Sequence, residues 1–142
     1  MTRGLFPTAR CQRIYNGVDL DRVVVSRERA ASFRRRFSIR QDRVVITQVS
    51  WIIPEKGILD LLDAARLVVG ARPSCHFVIV GEGPFRQGYM AKSRELGLQE
   101  HVTWTGLVEG PFTAGVHDAA DILCQGSRWE EVLGWVIAEA MA

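Results

Sequence analysis

From residue 44 onward, short runs of apolar and β-branched residues alternate with stretches whose apolar positions recur at helical spacing. VVITQVS (44–50) shows almost no polar alternation, which predicts a strand buried on both faces. The loop WIIPEKG follows, and then ILDLLDAARLVVG, where Ile58, Leu61, Leu62, Ala65, Val68 and Val69 repeat with a helical period and Gly70 is the expected C-terminal stop. The unit recurs as CHFVIV (75–80), GEGP and an amphipathic helix through about Leu96. It recurs again as HVTWTG (101–106) with a short helix near 112–119, and as DILCQGS (121–127) before EEVLGWVIAEAMA, which reads as a buried helix. Non-alternating strands separated by helices predict an α/β fold, a Rossmann-like parallel sheet with helices on both faces.

Composition keeps that picture and narrows it. The 142 residues, 47% hydrophobic and 24% charged, suit one globular domain. No run approaches the roughly 18 apolar residues of a membrane span, and MTRGLFPTAR lacks the apolar core of a signal peptide, so a cytoplasmic location is expected. Charge is uneven: residues 1–43 carry 11 arginines against 4 acids, whereas residues 44–142 carry 7 Lys+Arg against 12 acids. The two parts are therefore read as a basic N-terminal arm with the start of the domain (1–43) and the Rossmann-like body (44–142). No aromatic platform or nucleic-acid motif accompanies the basic run, so it is read as a solvated helix and linker rather than a nucleic-acid surface, although it permits peripheral contact with anionic lipid. Cys11, Cys75 and Cys124 are odd in number, far apart and without a CxxC pair, so neither a disulfide framework nor a zinc site is indicated, and they are expected as reduced, mostly buried thiols. His76, His101 and His117 show no ligand spacing, and no metal is assigned.

Topology directs attention to one end of the sheet. In doubly wound sheets of order 3-2-1-4-5-6, ligands bind beyond the carboxyl ends of the strands, between the loops after strands one and four. Here those loops carry Lys56 and SRWEEVLG (127–134). Lys56 precedes its helix and Gly134 stands where the last helix should begin. A cation and two helix N-termini then face one crevice, which suits an anionic ligand such as a phosphate. GEGP is not a dinucleotide fingerprint, because Gly81, Gly83 and Gly88 have the wrong spacing. A tight turn and a ligand contact both remain open for it. If Glu131 and Glu139 share a helix, they are separated by a rise of about 12 Å and roughly 80°, too far for a glycosidase-type carboxylate pair. They are read instead as holding different parts of one extended ligand, and Glu139 within WVIAEAMA is expected to be buried and to need a partner.

Four segments resemble the family 4 retaining glycosyltransferases of the GT-B fold: IYNGVDLDR (14–22), PEKG (54–57), FVIVGEGP (77–84) and SRWEEVLGWVIAEAMA (127–142). The resemblance implies retaining transfer of a sugar from a UDP-, GDP- or ADP-sugar to a glycan or lipid-linked saccharide, with no required metal or other cofactor. It implies that Lys56 holds the donor diphosphate, Glu139 the ribose hydroxyls and Glu131 the donor sugar, with backbone N–H groups at Leu133 and Gly134 meeting sugar or phosphate. Gly106 and Leu107 would border the nucleobase, and Gly81 is carried as a further donor contact. The sequence departs from the family at Trp51, where an arginine is usual, and at Leu133, where phenylalanine is usual. Among the other tryptophans, Trp104 and Trp135 are expected in the core.

The resemblance also implies that the chain is an incomplete half of a GT-B fold, lacking an acceptor domain and the last strands. The fragment alone is expected to be inactive, since catalysis needs both substrates positioned across the interdomain cleft. A longer enzyme would act in the cytoplasm or at the inner face of the membrane. Two alternatives are a sugar-nucleotide epimerase fragment of the GT-B fold and a noncatalytic Rossmann-like interaction module.

Overall fold

The computed structural model describes residues 12, 14–110, 114–129, 131 and 134–142. After a single 3-10 turn at Leu20–Arg22, the elements in chain order are α1 (Arg27–Arg36), β1 (Val44–Val49), α2 (Ile58–Ala71), β2 (Cys75–Val80), α3 (Arg86–Glu95), β3 (Val102–Gly106), α4 (Val116–Ala119), β4 (Ile122–Leu123) and α5 (Trp135–Met141). The four strands form one sheet of order β3-β2-β1-β4. All pairings are parallel, running from Val44 opposite Cys75 to Val49 opposite Val80 in the central pair. The order expected for these four strands is therefore present.

Alternation along the buried strands explains the two covered faces, because successive side chains point to opposite sides. Ile46, Phe77 and Ile79 project to one face, where α2 and α3 contribute Ile58, Leu61, Leu62, Ala65 and Tyr89. Val45, Val78 and Val80 project to the other, against Phe33 of α1 and Val116 and Ala119 of α4. Each aliphatic side chain fully withdrawn from water contributes roughly 1.5–3 kcal/mol, so the sheet is a rigid base for the loops at its carboxyl edge.

The helix of the basic arm belongs to this body. Arg34 is buried at 8% exposure and donates to the carbonyls of Arg43 (3.0 Å) and Ala119 (3.0 Å) and to Asp121 Oδ2 (3.1 Å). Arg29 Nε donates to Asp118 Oδ2 at 2.8 Å, and Ser26 caps α1 by accepting from Arg29 N. Two of the arm's arginines thus fasten α1 to the α4–β4 region, Arg34 buried and Arg29 still partly in solvent.

Several expectations change. Gly70 does not stop α2, which runs on to Ala71; Pro73 disfavours helix for the residue before it, and Arg72 has left the helical region (φ −141°, ψ 85°). The final helix is not buried: no residue of α5 is, and Trp135 is 45% exposed rather than in the core. Trp104 does pack against the core. The last strand shortens to two residues, Ile122 and Leu123, paired with Ile46 and Thr47 of β1. Cys75 is buried, Cys124 is half-buried, both are free thiols, and Cys11 lies outside the described residues. No helix among the described residues is long and apolar enough to cross a membrane.

Candidate functional site

All four strands deliver their carboxyl ends to one edge, and the loops leaving β1 and β4 meet there. The β1 loop turns through a 3-10 segment, Pro54–Lys56, and reverses at Gly57 with φ +65° before α2 begins. It is stitched to the β4 loop at several points. Gln48, wholly buried in β1, donates from Nε2 to the Lys56 carbonyl at 2.7 Å. Arg128 N donates to the Glu55 carbonyl at 2.7 Å, and the Arg128 guanidinium forks onto the Asp60 carboxylate, Nε to Oδ2 at 2.6 Å. That guanidinium holds the Asp60 carboxyl below its ordinary range.

These contacts bring Lys56 and Glu131 together across 75 residues of chain. Lys56 Nζ donates to Glu131 Oε1, and the ammonium also lies 5.4 Å from the centre of the Trp129 ring, a cation–π distance. Ser127 Oγ donates to the same carboxylate oxygen at 2.5 Å and Gln125 Nε2 at 3.2 Å. The Lys56 bond first, and then that of Ser127, hold the Glu131 carboxyl below the usual carboxylate range. Side-chain exposures of 15% and 27% leave both charged groups reachable.

Around this pair lies a hollow of about 220 Å³ lined by Ser50, Trp51, Lys56, Glu131, Gly134 and Trp135. A second hollow of about 380 Å³ shares Val49, Ser50, Trp51 and Val136 with the first and extends over Gly81, Glu82 and Leu107. The two form one crevice along the carboxyl edge of β1 and β2. Gly81 is required by the approach of the β1 loop: at φ +136°, a Cβ there would stand 3.1 Å from the Ser50 carbonyl carbon and closer still to its oxygen. Its N–H donates to the Gly106 carbonyl at 2.9 Å, so the turn is a structural joint as well as crevice lining.

Lys56, Glu131, Gly134, Gly81 and Leu107 therefore line one crevice, with Gly106 bonded to its edge. Glu139 does not join them. Half-buried on α5, it lines a separate cavity of about 160 Å³ and places Oε2 3.7 Å from His117 Nε2. Glu131 precedes α5 and is not helical, so the premise of two glutamates on one helix fails, and each serves a different cavity. Leu133 lies outside the described residues. Sequence reasoning does not single out Gln48, Gln125 or Ser127; a glutamine in an otherwise apolar buried strand is the one available signal. Among the described residues no group of three or more His, Cys, Asp or Glu is placed to hold a metal ion.

Comparison with known proteins adds relatives to this geometry. The model of a family described as "Glycosyl transferases group 1" matches residues 30–142. The alpha-D-kanosaminyltransferase of Streptomyces kanamyceticus is 32% identical over 136 residues, which cover 95% of this chain and 35% of that protein. A GDP-mannose-dependent alpha-(1-6)-phosphatidylinositol monomannoside mannosyltransferase of Mycolicibacterium smegmatis is 30% identical over 142 residues, covering 96% of this chain and 37% of that protein. The crystal structure of Anabaena Alr3699/HepE in complex with UDP and glucose superposes with a TM-score of 0.76 at 27% identity, over 90% of this chain and 35% of that one. The chain spans about a third of the length of these relatives.

Proposed function

Since the chain belongs to the glycosyl transferases group 1, we propose that its crevice is the donor site of a retaining glycosyltransferase of family 4, taking the sugar of a UDP-, GDP- or ADP-sugar. The observation that carries this reading is the meeting of Lys56 and Glu131 beside Gly134 at the carboxyl edge of β1 and β4. A nucleoside diphosphate leaving the sugar accumulates negative charge, and a fixed ammonium beside helix N-termini stabilises such charge without a metal ion. Lys56 holds the diphosphate. Glu131, kept ionised by its neighbours, accepts hydrogen bonds from hydroxyls of the transferred sugar. Gly134 offers a backbone N–H group, while Leu107 and Gly106 border the base beyond Gly81.

Glu139 is assigned the ribose hydroxyls. Val136 of the same helix already lines the crevice, and residues three apart on an α-helix differ in direction by about 60°. A turn of α5 by that amount would point the carboxylate away from His117 and towards the crevice, about 4.5 Å farther along the axis than Val136, and no residue of α5 is fully buried to oppose it. The GDP-mannose in one relative's name and the UDP and glucose bound to a structural neighbour support a nucleotide-sugar donor, and the phosphatidylinositol mannoside of one relative's name supports a lipid-linked or glycan acceptor. In this reading the acceptor is supplied by a longer protein, at the cytoplasmic face of a membrane. Titrating the chain with UDP, GDP and ADP by calorimetry tests the assignment. One nucleotide binds, and Lys56→Ala weakens it at least about tenfold, the loss of a charge-assisted bond; equal binding by the variant would remove Lys56 from the site.

A further inference from the structure

We propose that the indole of Trp51 is the platform on which the nucleobase stacks, making Trp51 a specificity-determining residue of the crevice; the proposal rests on the donor-site reading above. Trp51 is 61% exposed, although the residues on either side of it are anchored to the β2 edge. Ser50 N donates to the Val80 carbonyl at 3.0 Å, Ile52 N donates to the Glu82 carbonyl at 2.8 Å, and Ile52 itself is wholly buried. A large aromatic surface is thus held open to solvent on a fixed backbone, where a ligand gains from it without first ordering a loop.

The surroundings select a planar ring. Leu107, 74% exposed, and Val136 line the 380 Å³ hollow with the indole, and Gly81 adds no side chain to it. Glu82 is the one ionisable side chain among the described lining residues, an acceptor for ring or exocyclic N–H groups. Lys56 stands in the adjoining hollow, to which Trp51 also contributes. One continuous crevice thereby offers an apolar slot at one end and a cation at the other, matching a ligand with a flat base and a phosphate tail.

The test separates the two ends of the ligand. Calorimetric titrations of the chain and of its Trp51→Ala and Trp51→Phe variants use UDP, GDP, ADP and inorganic pyrophosphate, with thermal melts confirming that each variant is folded. The expected result is that Trp51→Ala weakens the bound nucleotide by roughly 5- to 100-fold, the range for a lost base–aromatic stack. Trp51→Phe restores most of the affinity, and pyrophosphate binds all three chains alike. Unchanged nucleotide affinity in Trp51→Ala overturns the proposal while leaving the donor site in place. Equal weakening of nucleotide and pyrophosphate also overturns it, because the indole would then shape the phosphate end. Folded parent chain that binds no nucleotide overturns both this proposal and the reading beneath it.

Discussion

Replacing Gly57 by alanine tests whether the site depends on the close crossing of the β1 and β4 loops. Gly57 sits at φ +65°, where alanine costs about 1 kcal/mol more than glycine. A Cβ there would stand 2.8 Å from the carbonyl carbon of Gly126 and closer still to its oxygen, against 3.4 Å for ordinary contact. Both partners are backbone, so no side-chain rotation relieves the clash, and the loops must separate by more than about 0.6 Å at a cost of about 1–3 kcal/mol. Together these costs come to about 2–4 kcal/mol, which lowers Tm by roughly 10 °C in a domain of this size. The same change at the facing glycine, Gly126→Ala, meets nothing closer than 3.4 Å and carries no left-handed backbone, so it should cost less than about 1 kcal/mol. Thermal melts of the two variants give the comparison. The reasoning is refuted if Gly57→Ala melts within about 2 °C of the parent, or if Gly126→Ala loses as much. Since Lys56 directly precedes Gly57, the displaced loop should strain the bond from Gln48 to the Lys56 carbonyl, shift Lys56 and weaken nucleotide binding as well.

Two further outcomes follow from the electrostatics. Glu131→Gln removes the carboxylate that engages Lys56, so inorganic pyrophosphate should bind up to about fivefold tighter by calorimetry, while a nucleotide-sugar, which also needs the carboxylate, should not; weaker pyrophosphate binding would contradict the pairing. His76 is pushed from 6.5 down to about 4, by burial first and then by the nearby Arg43. Between those values the unfolded chain binds a proton that the folded chain refuses, so stability is lost as pH falls from 6.5 towards 4 and is retained above that window. In urea titrations across it, His76→Gln should flatten the slope of stability against pH, and an unchanged slope would mean that His76 is protonated in the folded chain.

The central sheet is legible because burial on both faces leaves a direct mark: VVIT and CHFVIV carry no polar alternation, and these stretches form β1 and β2 with all six residues of β2 buried. Strand order alone places Lys56 and Gly134 at the ligand edge. Contact between distant loops leaves no such mark. The Lys56–Glu131 pair and the Gly57–Gly126 crossing depend on how two connections fold over one strand end, and no local period records that. The final segment misleads for a related reason. Its apolar residues suggest a buried helix that could hold both glutamates, but Glu131 is held by Lys56, Ser127 and Gln125, and α5 begins after Gly134, where the strand order expects it, with no residue buried. Gly70, the expected stop, lies inside α2 because the termination signal is Pro73.

The most direct test of a nucleotide site in this crevice is a titration of the isotope-labelled chain with UDP or GDP followed by amide NMR shifts. The account predicts saturable shifts confined to Ser50–Gly57, Gly81–Glu82, Gly106–Val108 and Gly134–Val136, with smaller changes at Glu139 if α5 turns. Shifts centred instead on Arg29, His117 and Asp118 would place the ligand in the other cavity, and no shifts from a folded sample would contradict nucleotide binding by this chain.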